Sequence, residues 1–100
     1  MLIESLSHEQ FASRLGSHFT LSDDDMPSID LRLIEVQPLQ KHGGLPESRT
    51  PFSLLFKAAS QQVFPQRLYH LRHDAMGELP IFLVPIGRDA EGVTYEAIFN

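Results

Sequence analysis

The chain contains no cysteine, so disulfide staples, thiolate metal sites and thiol redox chemistry are excluded at the outset. Positive charge is also scarce. Eight Lys and Arg residues, scattered along the chain, leave a formal net charge of -5, which gives no basic field to gather phosphate backbones. Nucleic acid is therefore not expected as a partner. Long apolar runs are missing too, since none approaches the roughly 18 residues that a membrane-spanning helix needs. Acids interrupt the opening Met-Leu-Ile-Glu-Ser-Leu-Ser-His-Glu where a secretory signal would place its apolar centre. The expectation is a soluble, cytoplasmic protein of bacterial type with no membrane partner.

What is present fits one small domain over residues 1–100. Hydrophobic residues make up 42% of the chain and charged residues 21%, too apolar for intrinsic disorder and enough for one core. Only one segment has helical signals. Ser7 and Gln10 have the S-x-x-Q spacing of a capping box, Phe11 and Leu15 follow on one face, and Gly16 is placed to stop the run. A helix over 7–15 is predicted, with Leu6 stapled to Phe11.

From Gly16 onward the apolar period changes to two, the spacing of strands. Strands are predicted near 17–21, 28–37, 51–58, 66–73, 79–86 and 93–99. The acidic run Asp23-Asp24-Asp25 reads as a solvated turn, and 37–50, with its two prolines and Gly43-Gly44, as a loop. In the second strand the alternation of Ile29, Leu31 and Leu33 slips, because Ile34 and Val36 continue the apolar series. Such a slip predicts a β-bulge. The connections are too short for crossover helices, so neighbours should be antiparallel. The predicted fold is mainly β: about six antiparallel strands in a small barrel or a two-sheet sandwich, with one N-terminal helix.

In the last strand Val93, Tyr95, Ala97 and Phe99 share one face, which reads as the core. The strand before it is apolar on both faces, Ile81 and Leu83 on one and Phe82, Val84 and Ile86 on the other. A strand of that kind should be covered on both sides, by the helix or by another subunit. Left open, Phe82, Val84 and Ile86 would form a patch of the sort that marks an interface.

Four blocks of sequence carry a resemblance: Phe52-Ser53-Leu54-Leu55-Phe56-Lys57, the run from Tyr69 to Gly77, Phe82-Leu83-Val84-Pro85-Ile86-Gly87 and Tyr95-Glu96-Ala97-Ile98-Phe99-Asn100. In order and spacing the chain resembles a family of short bacterial proteins known only as a domain of unknown function, with F-L-V-P-x-G and a terminal Y-E-A-x-F-N as its marks. The resemblance implies no catalytic residues or ligands. It does imply a setting beside phage-tail-collar-like proteins, as an accessory part of a tail-like assembly.

No metal or cofactor is expected. His70 and His73 are three apart on a strand and point to opposite faces, so they do not converge as an i, i+4 helical pair would; His73 is expected to hydrogen-bond within its turn. Asp89, Glu91 and Gly92 resemble a fragment of a calcium loop, but the remaining ligand positions are absent, and a solvated hairpin is the better reading. Ser53 and Ser60 have no nucleophile motif around them. Glu35 and Glu96 are single acids on strands, with Glu96 expected to face outward or to pair with an arginine such as Arg72 across the sheet. Enzymatic chemistry is thus not expected. Two functions remain: a structural or adaptor module that docks Phe82, Val84 and Ile86 on a protein partner or on its own copy, and a small-ligand barrel with Tyr69, His73 and Tyr95 at its mouth.

Overall fold

A computed structural model describes residues 7–23, 26–39 and 51–99. One short helix, α1 (His8–Ala12), precedes six strands: β1 (His18–Asp23), β2 (Met26–Pro38), β3 (Phe52–Ala58), β4 (Arg67–His73), β5 (Gly77–Asp89) and β6 (Gly92–Phe99). They close into a barrel in the order β1-β2-β3-β6-β5-β4, with every neighbouring pair antiparallel. Of the two architectures left open by the sequence, barrel and sandwich, this is the barrel.

Alternation fills the barrel. β1 sends in Phe19 and Leu21, and β2 sends in Leu31 and Leu33, while Leu54, Phe56 and Ala58 come from β3. β4 contributes Tyr69, Leu71 and His73, β5 contributes Leu79, Ile81 and Leu83, and β6 contributes Val93, Tyr95 and Ala97, all of them buried. In β2 the ladder to β3 shifts register between Leu33 and Glu35, the place where the apolar parity slips in the sequence. The extra residue bends the strand, as barrel closure requires.

Two phenylalanines stopper the barrel, one at each end. At the end where β1 begins and β6 finishes, α1 delivers Phe11, whose ring lies 6.4 Å from Phe19, 5.8 Å from Phe52 and 5.7 Å from Phe99. Burying such a ring contributes about 1.5–3 kcal/mol. The helix is capped as its sequence predicts, with Gln10 Oε1 accepting the Ser7 amide at 2.8 Å. It is shorter than 7–15, however, and Leu15 is exposed after the last turn instead of lying on the apolar stripe. The chain turns at Gly16 (φ 86), which donates its amide to the Leu33 carbonyl at 2.8 Å and so ties the helix to β2. Leu6, the staple partner, lies outside the described residues, as do Asp24, Asp25 and positions 40–50 of the predicted loop.

At the opposite end the β3–β4 connection folds inward and delivers Phe64, also buried. Its amide donates to the Tyr95 hydroxyl at 3.0 Å, and the Tyr69 hydroxyl donates to the Pro65 carbonyl at 2.6 Å. Gly92 fixes the β5–β6 hairpin to this end. Its φ of 139 lies where side chains are strained, and a Cβ there would sit 1.8 Å from the Ala58 carbonyl oxygen.

Candidate interaction surface

The outer face of β4, β5 and β6 is the apolar exception on this barrel. Leu68 on β4 is the register partner of Phe82 on β5, and Ile98 on neighbouring β6 stands on the outward face two residues beyond Glu96, the register partner of Val84. Leu68 is 56% exposed, Phe82 49% and Ile98 55%, so no element among the described residues covers this row. The expectation that β5 is covered on both faces does not hold for the chain alone, because α1 seats at the end of the barrel rather than on its side.

The row runs across the strands instead of along β5. Phe82 is its centre, whereas Val84 is half-buried beside Glu96, and Ile86 is exposed at a bulge between Pro85 and Gly87 that takes it out of the ladder. Leu68 and Ile98 were missed by reading faces one strand at a time. A signal for Leu68 did exist: counting outward from the Asp74-Ala75-Met76 turn sets it opposite Phe82. Ile98 had no such signal, since its place on the strand next to β5 follows from β6 entering between β3 and β5. Glu96, register partner of Leu55 and Val84, alternates with the inward Tyr95 and Ala97 and so faces outward, one of its two expected placements; β5 separates it from Arg72, which rules out the other.

Tyr69, His73 and Tyr95 do not share a mouth. Both tyrosines are buried under the Phe64 stopper, where desolvation pushes the Tyr95 phenol above its ordinary pKa. His73 is at the other end, with its ring 4.6 Å from Phe19. Its Nδ1 accepts the amides of Ala75 at 2.9 Å and Met76 at 3.2 Å, and its Nε2 lies 3.0 Å from Ser17 Oγ. That contact has the length of a nucleophile–base pair but the wrong polarity. With two N–H donors on Nδ1 the ring proton sits on Nε2 and points at the serine, whose hydroxyl in turn donates to the Arg14 carbonyl. A general base needs a lone pair there. Desolvation, reinforced by Arg14 and partly opposed by Asp74, holds the His73 pKa below its ordinary value.

On the β5–β6 hairpin, Asp89 accepts from Lys57 Nζ at 2.9 Å and from the Glu91 amide at 2.9 Å, and the lysine bond above all holds its carboxyl below the usual range. The described residues contain no cluster of three or more His, Cys, Asp or Glu side chains able to hold a metal, and no helix among them is long and apolar enough to cross a membrane.

The model of a family described as a domain of unknown function (DUF6916) matches residues 6–99. The chain belongs to the DUF6916 family. No curated protein and no solved structure matches it. The DUF6916 match takes in all the described residues, and the barrel gives a physical meaning to Tyr95-Glu96-Ala97-Ile98-Phe99. Tyr95, Ala97 and Phe99 face the core, and Tyr95 also holds the Phe64 stopper, while Ile98 faces out to complete the apolar row.

Proposed function

We propose that this DUF6916 domain is a non-enzymatic docking module whose partner is a protein surface presenting apolar side chains to Leu68, Phe82 and Ile98. The observation that carries this reading is the uncovered row across three strands of a barrel whose interior is filled and whose ends are stoppered. Its extent, about a few hundred Å², is that of the largest apolar patches on monomers. An interface of that size suits a hot-spot centre of a reversible contact, with Phe82 as the aromatic anchor. A tail-like assembly, the setting implied by the family resemblance, would use such a rigid block as an accessory part held against a larger protein.

A small-ligand lumen is the weaker reading, because the inward positions are occupied by packed side chains and the three mouth residues lie at two ends. The test is site-specific photo-cross-linking from position 82 in the native host, with position 20 on the far wall as control. A discrete adduct from position 82 that is lost with Leu68→Asp supports docking. Equal labelling from both positions refutes it. Light scattering of the purified chain separates a self-partner from another protein, since self-docking gives a dimer that Phe82→Glu dissolves.

A further inference from the structure

On the wall away from the apolar row, register partners line up a row of charge. His18 of β1 pairs with Arg32 of β2, Arg32 pairs with Lys57 of β3, and Lys57 pairs with Thr94 of β6, all with outward side chains. Like charges directly opposite each other, as Arg32 and Lys57 are, destabilise a sheet. The fold relieves this on both flanks but not in the centre. His18 Nδ1 is 2.6 Å from Asp30 Oδ2, and Lys57, its side chain mostly buried, is bonded to Asp89 at 2.9 Å and to Thr94 at 3.1 Å. Arg32 has no ion-pair partner among the described residues, and neither does Glu91.

These two free charges of opposite sign line one groove of about 270 Å³, together with His18, Asp30, Lys57 and Ala59. They are held apart. Glu91 sits in a hairpin fastened by Lys57 to Asp89, by Gln61 Nε2 to the Asp89 carbonyl at 2.9 Å, and by Arg88 to the Gln61 carbonyl at 3.2 Å. Gly92, packed on Ala58, anchors its other side. Collapse of Glu91 onto Arg32 would have to break this lattice.

We propose that the groove binds a small ligand carrying a carboxylate at one end and an ammonium at the other, the carboxylate on Arg32 and the ammonium on Glu91. Arg32 is on β2 and the Glu91 hairpin leads into β6, with β3 between them. Two inter-strand spacings put Thr94, the β6 residue in register with Lys57 and so with Arg32, about 10 Å away; Glu91 stands three residues earlier in the hairpin, a wider backbone gap that the two side chains narrow from either side. An extended dipeptide, whose two residues span about 7 Å, matches that gap better than a single amino acid. Asp30 and Asp89 are already engaged by His18 and Lys57, so the ligand meets one cation and one anion rather than a field of either sign. This inference is independent of the docking row, since Leu68, Phe82 and Ile98 are not among the residues that line the groove.

The test is a titration of the isotope-labelled full chain with glycylglycine, followed by amide chemical shifts, beside a titration with acetate and methylamine mixed in equal amounts. The expected result is a saturable shift of the amides around Arg32, Lys57 and Glu91 at millimolar glycylglycine. Arg32→Met and Glu91→Gln, both surface changes, should each weaken it about tenfold or more, a difference of about 1.4 kcal/mol. Acetate with methylamine should fail to reproduce the shifts. No saturable shift, a shift that survives Arg32→Met, or equal shifts from the separated ions would each overturn the proposal.

Discussion

Gly92→Ala should be the most damaging methyl group that can be added to this protein. The new Cβ would lie 1.8 Å from the Ala58 carbonyl oxygen, 2.9 Å from its carbon and 3.2 Å from Ala59 Cα, all backbone atoms with no side-chain freedom to yield. The φ of 139 adds its own strain, about 1–3 kcal/mol for a residue held in such a region. Relief would require β6 to withdraw from β3, loosening the Lys57–Asp89 bond and the last rungs of the ladder. The sum is on the order of 3–5 kcal/mol, at the severe end for a single substitution. With urea slopes of about 1–3 kcal/mol per molar, the unfolding midpoint should fall by about 2 M. Two controls come from the same fold. Gly77 has φ 77 but nothing within 4 Å of a Cβ, so Gly77→Ala should cost about 1–2 kcal/mol from the backbone alone. Gly87 has neither a positive φ nor a close neighbour, so Gly87→Ala should be within about 0.5 kcal/mol of the parent. Urea unfolding of the three variants, followed by circular dichroism, gives the ranking directly. If Gly92→Ala unfolds no earlier than Gly77→Ala, the claim that the hairpin is clamped on β3 is wrong.

Removing the stopper with Phe64→Ala should cost about 3–5 kcal/mol by thermal or urea unfolding, while Tyr95→Phe, which leaves the Phe64 amide without its acceptor, should cost about 1–3 kcal/mol. Desolvation above all lowers the folded pKa of His73 from its ordinary value, so the unfolded chain takes up the proton first as pH falls. Stability should therefore be full above about pH 6.5 and decline below it, with a slope that His73→Gln diminishes in a pH series of urea midpoints. Phe82→Glu, by contrast, should leave the midpoint within about 0.5 kcal/mol of the parent, because an outward side chain is being replaced; a large loss would show that the apolar row supports the barrel itself.

Inward and outward positions were legible in the sequence because alternation is a property of one strand. Tyr69, Leu71 and His73, or Val93, Tyr95, Ala97 and Phe99, can be sorted without knowing any neighbour, and so can the slip after Leu33 that becomes the β2 bulge. Order in the sheet is a property of pairs of strands. Nothing local says that β6 inserts between β3 and β5, and so the apolar row was read along β5 when it runs across three strands. The stoppers were hidden for a different reason. Phe64 stands in a connection with no period, and its burial depends on a barrel end that has to exist first. The charged groove was likewise invisible, since His18, Arg32, Lys57 and Glu91 come together only through registers spread over four strands.

The barrel is closed by β1 and β4, whose ladder runs through only Thr20–Arg72, Leu21–Leu71 and Ser22–His70, fewer rungs than at any other junction. These partners are about fifty residues apart in the chain, so the closing step carries the greatest loop entropy and should come late on the folding path. Once formed, this junction is also the natural place for the cylinder to part. Deuterium should reach its amides before those of the β3–β6 ladder, whose seven rungs bury Leu54, Phe56 and Tyr95.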